Sequence, residues 1–278
     1  MHKILNLQKA VLNIVFLVLL TSLINLVDAQ CIEAETAFLP GETITYEVAY
    51  NWGFVWVDAG EVTFKTDTVN FRGSNSYYFE SYGNSYSFYN WFYKVDDRFQ
   101  SWCNLNTLEP ISYKRETFEG GYWVKNNYDF QQDGRIFSSV LHKDEPLKLD
   151  TLKVVPCTFD VLSAIYYVRS FDFSNAKAGD EFPVNFIIDG ELHTLSLFYW
   201  GKEEIKNRNG KTYSCEKISV KLVAGTIFKG DEELFVWLID DKNRIPLMVE
   251  AKVIVGSIKA YLIGYEGLKH ELSDGLDK

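Results

Sequence analysis

The feature that most narrows what this chain can fold into is the alternation that begins behind Pro40-Gly41. Ile44, Tyr46, Val48 and Tyr50 fall on one face, and Thr43, Thr45, Glu47 and Ala49 on the other. A period of two built from β-branched and aromatic residues marks a half-buried strand, because successive side chains on a pleated backbone point to opposite sides. Asn51-Trp52-Gly53 interrupts the pattern, and a second run continues to Phe64 with Gly60 inside it, where a bulge or bend is expected. The pair reads as the first hairpin of a large antiparallel β protein.

Further along, polar Gly-containing stretches separate similar runs. Asn70 to Ser76, Gly120-Gly121 and Asp133-Gly134 are turn signals between strands. The charged, Pro-containing stretch His142 to Pro156 reads as a connection. One helix is expected over 158–170, with Thr158 as its cap, Asp160 in its first turn and Val161, Ile165 and Val168 at helical spacing. The second half then echoes the first: Ala178-Gly179-Asp180 follows the form of Pro40-Gly41-Glu42. The series Trp102, Pro110, Gly120, Tyr128 returns as Trp237, Pro246, Gly256, Tyr265. The expected fold is mainly β, with large twisted antiparallel sheets forming an open barrel or sandwich. Two related halves, about 38–141 and 178–267, are joined by the short helix, with a short segment 30–37 before them and a polar tail 269–278 behind.

Residues 1–29 read as a secretory signal: Lys3 and Lys9 precede the apolar stretch Ala10 to Val27, and Val27 and Ala29 are small residues before a cut at Gln30. The mature chain is then exported, to the periplasm or the outer membrane, with a lipid anchor at Cys31 as the lesser alternative. Cys31, Cys103, Cys157 and Cys215 are candidates for disulfides in an oxidising compartment, with three pairings open.

Several pieces carry a family resemblance. Phe38-x-Pro-Gly-Glu42, Tyr46-x-Val-x-Tyr-Asn-Trp-Gly53 and Asp58-Ala-Gly-Glu61 resemble the opening of the DUF3108 family, exported bacterial proteins of unknown function. Phe159 to Arg169, Leu222 to Phe228 and Trp237 to Pro246 continue it, so the likeness runs from about Phe38 to Leu268. It implies a fold and a compartment. It brings no catalytic residues.

The residues themselves point to binding rather than chemistry. A net charge of −10 without a basic block argues against nucleic acid, whose recognition rests on neutralising phosphates. The four histidines form no metal motif, and no phosphate loop or nucleophile elbow is present, so neither metal nor cofactor is expected. Asp96-Asp97 and Asp240-Asp241 are adjacent acids, and neighbours on a strand point apart, so neither pair supplies two carboxyls to one substrate. Aromatic residues reach 16% of the chain, and their densest run is Tyr86 to Tyr93. Trp52, Phe54, Trp56, Tyr86, Phe88 and Trp91 are the candidate ligand-binding side chains. Three functions fit: a non-catalytic envelope protein binding a lipid-like ligand or a protein partner, a carbohydrate-binding or carbohydrate-active protein with those aromatics as platforms, and a structural envelope factor.

Overall fold

A computed structural model describes residues 35–52, 55–221, 233–252, 256–273 and 275. The expected signal and Cys31 lie outside these residues. The chain first forms a meander of β1 (Thr43–Trp52), β2 (Val55–Phe71), β3 (Ser74–Ser85), β4 (Asp96–Cys103), β5 (Pro110–Glu119) and β6 (Tyr122–Phe130). The strands β7 (Arg135–His142) and β8 (Lys148–Lys153) extend it, and the short β9 (Thr158–Phe159) leads into helix α1 (Val161–Arg169). A second meander follows: β10 (Glu181–Ile188), β11 (Glu191–Lys206), β12 (Thr212–Lys221), β13 (Glu233–Ile239), β14 (Pro246–Lys252) and β15 (Ser257–Glu266).

The fifteen strands of the described residues lie in one sheet in which β1 pairs with β15, so the first and last of them meet in its middle. The pairing is antiparallel apart from β9 beside β10. The outermost strands β8 and β9 do not pair, and the hydrogen-bond ladder stays open. Side chains bring the two arms together instead. The Gly190 N–H at the β10–β11 turn donates to Tyr128 Oη at 3.0 Å, and Arg115 and Asn126 both reach Asp189 at 3.0 Å. Ile187 shares a buried cluster with Tyr113, Tyr128, Ile136 and Val140. The fold is thus the expected mainly-β, incompletely closed form.

The sequence echo is an echo of turn geometry. Gly41 has φ +92° and Gly179 φ +97°, a region open to glycine because it lacks a Cβ. Gly41 N–H donates to Thr66 O at 2.7 Å and Thr66 N–H to Glu42 O at 2.9 Å. Gly179 N–H donates to Tyr199 O at 2.8 Å and Tyr199 N–H to Asp180 O at 3.0 Å. Trp102 and Trp237 occupy β4 and β13, each beside a register shift, and Pro110 and Pro246 open the next strands. Leu108 and Arg244, each two residues before the proline, both take positive φ.

Expectation and structure part in four places. Thr158 does not cap the helix: it pairs with Asn185 across β9 and β10, and its hydroxyl donates to Val155 O. Asp160 is the cap, its carboxylate accepting from the Leu162 and Ser163 N–H groups while Ser163 Oγ accepts from the Asp160 N–H. Within the expected connection His142 to Pro156, Lys148–Lys153 forms an edge strand, where charge is tolerated and guards against further pairing. Glu203 and Glu204, whose flanking by Lys202 and Lys206 reads in the sequence as a polar turn, lie inside β11, with Glu203 accepting from Trp237 Nε1. On β1, Ile44 and Tyr46 are buried as expected, but so is Ala49 on the opposite face. That face is covered too, because Tyr86 and Arg208 both reach Glu47 there. Gly60 sits at the expected bulge, where the β1–β2 register shifts between Val48 and Ala49.

Helix α1 is too short to persist on its own and depends on packing. It lies against β3, β4, β9 and β10. Tyr166 stacks on Phe79 with ring centres 3.9 Å apart, and Phe38 meets both edge-on. Leu162, Tyr167, Phe173, Leu197, Tyr199 and Leu238 complete this cluster. The helix ends on Arg169, which is buried and pairs through two hydrogen bonds of 2.7 and 3.0 Å with the equally buried Glu42. Arg169 also donates to Asn243 O at 3.1 Å, between β13 and β14. Removing one partner of a buried pair strands a charge. Arg169→Met is therefore expected to lower unfolding free energy by about 3–5 kcal/mol in urea titrations, and Glu42→Leu added to it should restore most of the loss.

The capping carboxylate has a second consequence. Full burial pushes Asp160 up to about 6, against the hydrogen bonds from Ser101, Ser163 and Leu162 that favour its ionised form. A carboxyl raised in the folded state binds its proton more tightly there than when unfolded, so its contribution to stability is favourable at low pH and falls as pH rises from about 4 to 6. Asp160→Asn keeps an acceptor for the helix N–H groups. Thermal melts across this window should show wild-type stability falling with pH and the variant lacking part of that slope, on the order of 3 kcal/mol.

Candidate functional site

The most exposed aromatic side chains gather at one end of the sheet, and strand order explains why. The β1–β2 turn, the β3–β4 connection, the β5–β6 turn and the β7–β8 connection all fall at the same end of an antiparallel meander. The β3–β4 connection is the dense aromatic run. Tyr86 opens it, Ser87–Tyr89 makes one turn of 3₁₀ helix with no buried residue, and Asn90 to Lys94 lead to β4. In this loop Phe88 is 74% exposed, Trp91 84% and Phe92 66%. Tyr93 is half out of solvent, and its ring lies so close over Gly120 that a Cβ there would meet Tyr93 Cε2 at 2.3 Å.

The loop's backbone is largely self-contained. Tyr86 N–H donates to Ala59 O, Tyr89 N–H to Tyr86 O and Asn90 N–H to Ser87 O; both Phe92 and Tyr93 N–H donate to Tyr89 O. Gly120 N–H donates to Lys94 O, and Ser85 Oγ to Asn90 Oδ1, which fixes the loop to its neighbours. Tyr86 Oη donates to Glu47 at 3.0 Å; burial and this carboxylate push the phenol up to about 12.

Of the six side chains singled out from the sequence, Tyr86, Phe88 and Trp91 share this loop, and Trp56 stands on the adjoining hairpin with the Lys259 ammonium 5.2 Å from its ring centre. Trp52 ends β1, but its side chain, like Phe54, lies outside the described residues. Phe88 and Trp91 neither line a groove nor plug the core; they project. Also exposed at this end are Val55 and Tyr122, and Leu147 and Leu149 around the β7–β8 connection, which the sequence reading passed over. Leu147 and Leu149 stand in a charged stretch, so their only signal was two apolar residues among Lys and Asp.

Two depressions lie on the outer face of the sheet. One, of 360 Å³, is lined by Thr63, Lys65, Glu80, Tyr82 and Arg98. The other, of 550 Å³, is lined by Trp200, Gly201, Lys202, Glu203, Lys217 and Phe235. Both are open and rich in charge. The concave side is occupied by α1 and its aromatic neighbours.

Asp96 and Asp97 point apart as a strand requires. Asp96 holds Lys94 and Tyr82, while Asp97 accepts from Phe118 N–H. Burial and the neighbouring Glu119 carboxylate push Asp97 up to about 7. Asp240 and Asp241 order the β13–β14 connection, Asp241 accepting from Asn243 and Arg244 N–H groups. Ser163 is buried in the helix cap. No group of three or more His, Cys, Asp or Glu among the described residues is placed to hold a metal, and no described helix is long and apolar enough to cross a membrane.

The cysteines correct one expectation. Cys103 and Cys215 are free and fully buried on β4 and β12, and Cys157 is disulfide-bonded. Burial pushes both free thiols upward, Cys215 to about 12, so neither forms a thiolate at neutral pH. The even number of cysteines suggests disulfides, but Cys103 and Cys215 sit in two different buried clusters. A thiol reagent such as Ellman's should find Cys103 and Cys215 silent in the native protein and react with both in guanidinium; fast native reaction would contradict their burial.

The open β arrangement is that of a β-barrel-like protein. The chain belongs to the DUF3108 family, described as a protein of unknown function, whose model matches residues 45–263. Among curated proteins, none matches this sequence. A crystal structure of a β-barrel-like protein of domain of unknown function DUF1849 from Brucella abortus is similar in fold, with 8% identity and a TM-score of 0.55 over 84% of this chain and 99% of that one. The lipoprotein LppX from Mycobacterium tuberculosis aligns at 12% identity over 83% of this chain and 90% of that one, with a TM-score of 0.23.

Proposed function

We propose that this protein is an exported, non-catalytic component of the cell envelope that binds a hydrophobic or amphipathic ligand at its aromatic end. The observation that carries the reading is the exposure of Phe88, Trp91 and Phe92 together on one short loop. Large apolar side chains held in water by a well-bonded backbone mark a surface meant to be covered. The family resemblance and the apolar stretch Ala10 to Val27 support export to the periplasm or the outer membrane. With α1 filling the concave side, the ligand is held at the rim and not inside the sheet.

A carbohydrate reading has one observation in its favour. Trp200 stands 48% exposed over the 550 Å³ depression, its Nε1–H already donating to Ser219, with Glu203, Lys202 and Lys217 beside it. That arrangement suits a sugar ring stacked on the indole.

Native mass spectrometry of the protein taken from its own envelope separates the two. An amphipathic adduct that is retained by wild type and lost from Phe88→Ser/Trp91→Ser/Phe92→Ser is the expected result. A glycan adduct lost from Trp200→Ala would favour the second reading, and a bare chain mass from wild type would sink both.

A further inference from the structure

Resting on that reading, we propose that the occupant of the aromatic end is a lipid bilayer surface, into which the loop from Tyr86 to Tyr93 inserts its rings. Three observations point there. The site projects: Phe88, Trp91 and Phe92 stand on a connection beyond the strand ends and line neither of the two depressions, which suits a broad soft surface better than a single small molecule.

The second observation concerns hydrogen bonds. In a bilayer interface a backbone group without a partner is costly, so inserted segments carry their own. Here five of the eight N–H groups from Tyr86 to Tyr93, those of Tyr86, Tyr89, Asn90, Phe92 and Tyr93, are donated within the protein, and the one amide side chain of the loop, Asn90, is held by Ser85. A loop shaped to recruit a protein strand would instead present a row of free backbone groups.

The third is charge. The protein is acidic overall, with a net charge of −10, yet from Ser81 to Tyr93 it carries no carboxylate. The next residue is Lys94, 46% exposed at its side chain and paired with Asp96 at 2.8 Å. An apolar ridge whose own residues carry no acid matches the boundary between acyl chains and headgroups, where Trp and Tyr rings also settle. Val55 and Trp56 on the neighbouring hairpin extend the same ridge: Tyr86 N–H binds Ala59 O on that hairpin's second strand.

The test is flotation of the purified protein with vesicles of phosphatidylethanolamine and phosphatidylglycerol. Wild type should float, and Phe88→Ser/Trp91→Ser/Phe92→Ser should bind at least roughly tenfold more weakly, with an unchanged thermal melt and circular dichroism spectrum. Vesicles with brominated acyl chains should quench part of the tryptophan fluorescence of wild type, and less of it in Trp91→Phe, which keeps an aromatic ring there and still floats. The proposal is overturned if wild type stays in solution, or if the triple variant floats as well as wild type. A parallel titration with monomeric lysophospholipid separates the levels: binding there without flotation removes the bilayer and keeps the amphipathic-ligand reading, while binding of neither removes both.

Discussion

The contact on which most of this structure depends is the ion pair between Glu42 and Arg169. Glu42 belongs to the glycine turn that starts the first strand, and Arg169 closes the helix. The same guanidinium reaches the Asn243 carbonyl between β13 and β14. One buried cation therefore fixes the helix against both meanders, in a fold whose ladder never closes. Two-point hydrogen bonding suits arginine, whose planar fork matches a carboxylate as a lysine ammonium cannot. The rings of Phe38 and Tyr166, with centres 5.7 and 5.5 Å from the guanidinium, exclude water and add their own attraction.

With the helix pinned, the remainder follows from strand order. The two arms curl until the β10–β11 turn meets β5, β6 and β7, and the helix fills the space between them. Fifteen strands in one sheet leave two edges, and the chain guards them differently. Edge strand β8 is charged and exposed, while β9 is only two residues long and runs directly into the helix. Apolar surface that the core does not use is thereby concentrated at the strand tips. Trp91 would be a liability in a central strand; on a projecting connection it becomes available to a partner.

A good deal of this was legible in the residues. Gly41 and Gly179 announced the same turn twice because only a residue without a Cβ sits easily at positive φ, so the demand shows in the sequence. Leu108 and Arg244 meet a similar backbone demand with ordinary side chains, and nothing in their identity revealed it. The aromatic run from Tyr86 to Tyr93 was visible as composition. Its direction was not, since aromatic residues suit a core and a surface equally well, and only the 3₁₀ turn decides that Phe88 and Trp91 point outward. The choice of Asp160 over Thr158 as cap was equally hidden: both are good caps, and the parallel bridge to Asn185 claims Thr158 first.

Local chemistry, then, determined the strands, the turns, the helix that joins the two meanders and the family, because alternation and glycine demands act over a few residues. Contacts between distant residues decided the rest. Glu42 and Arg169 stand 127 positions apart, and no periodicity connects them. Cys103 and Cys215 stay reduced because their strands hold them apart in the core, whatever their number suggests. Which aromatic rings are buried against α1 and which face solvent at the sheet's end is set by how fifteen strands curl around nine helical residues, and that curl is a property of the whole chain.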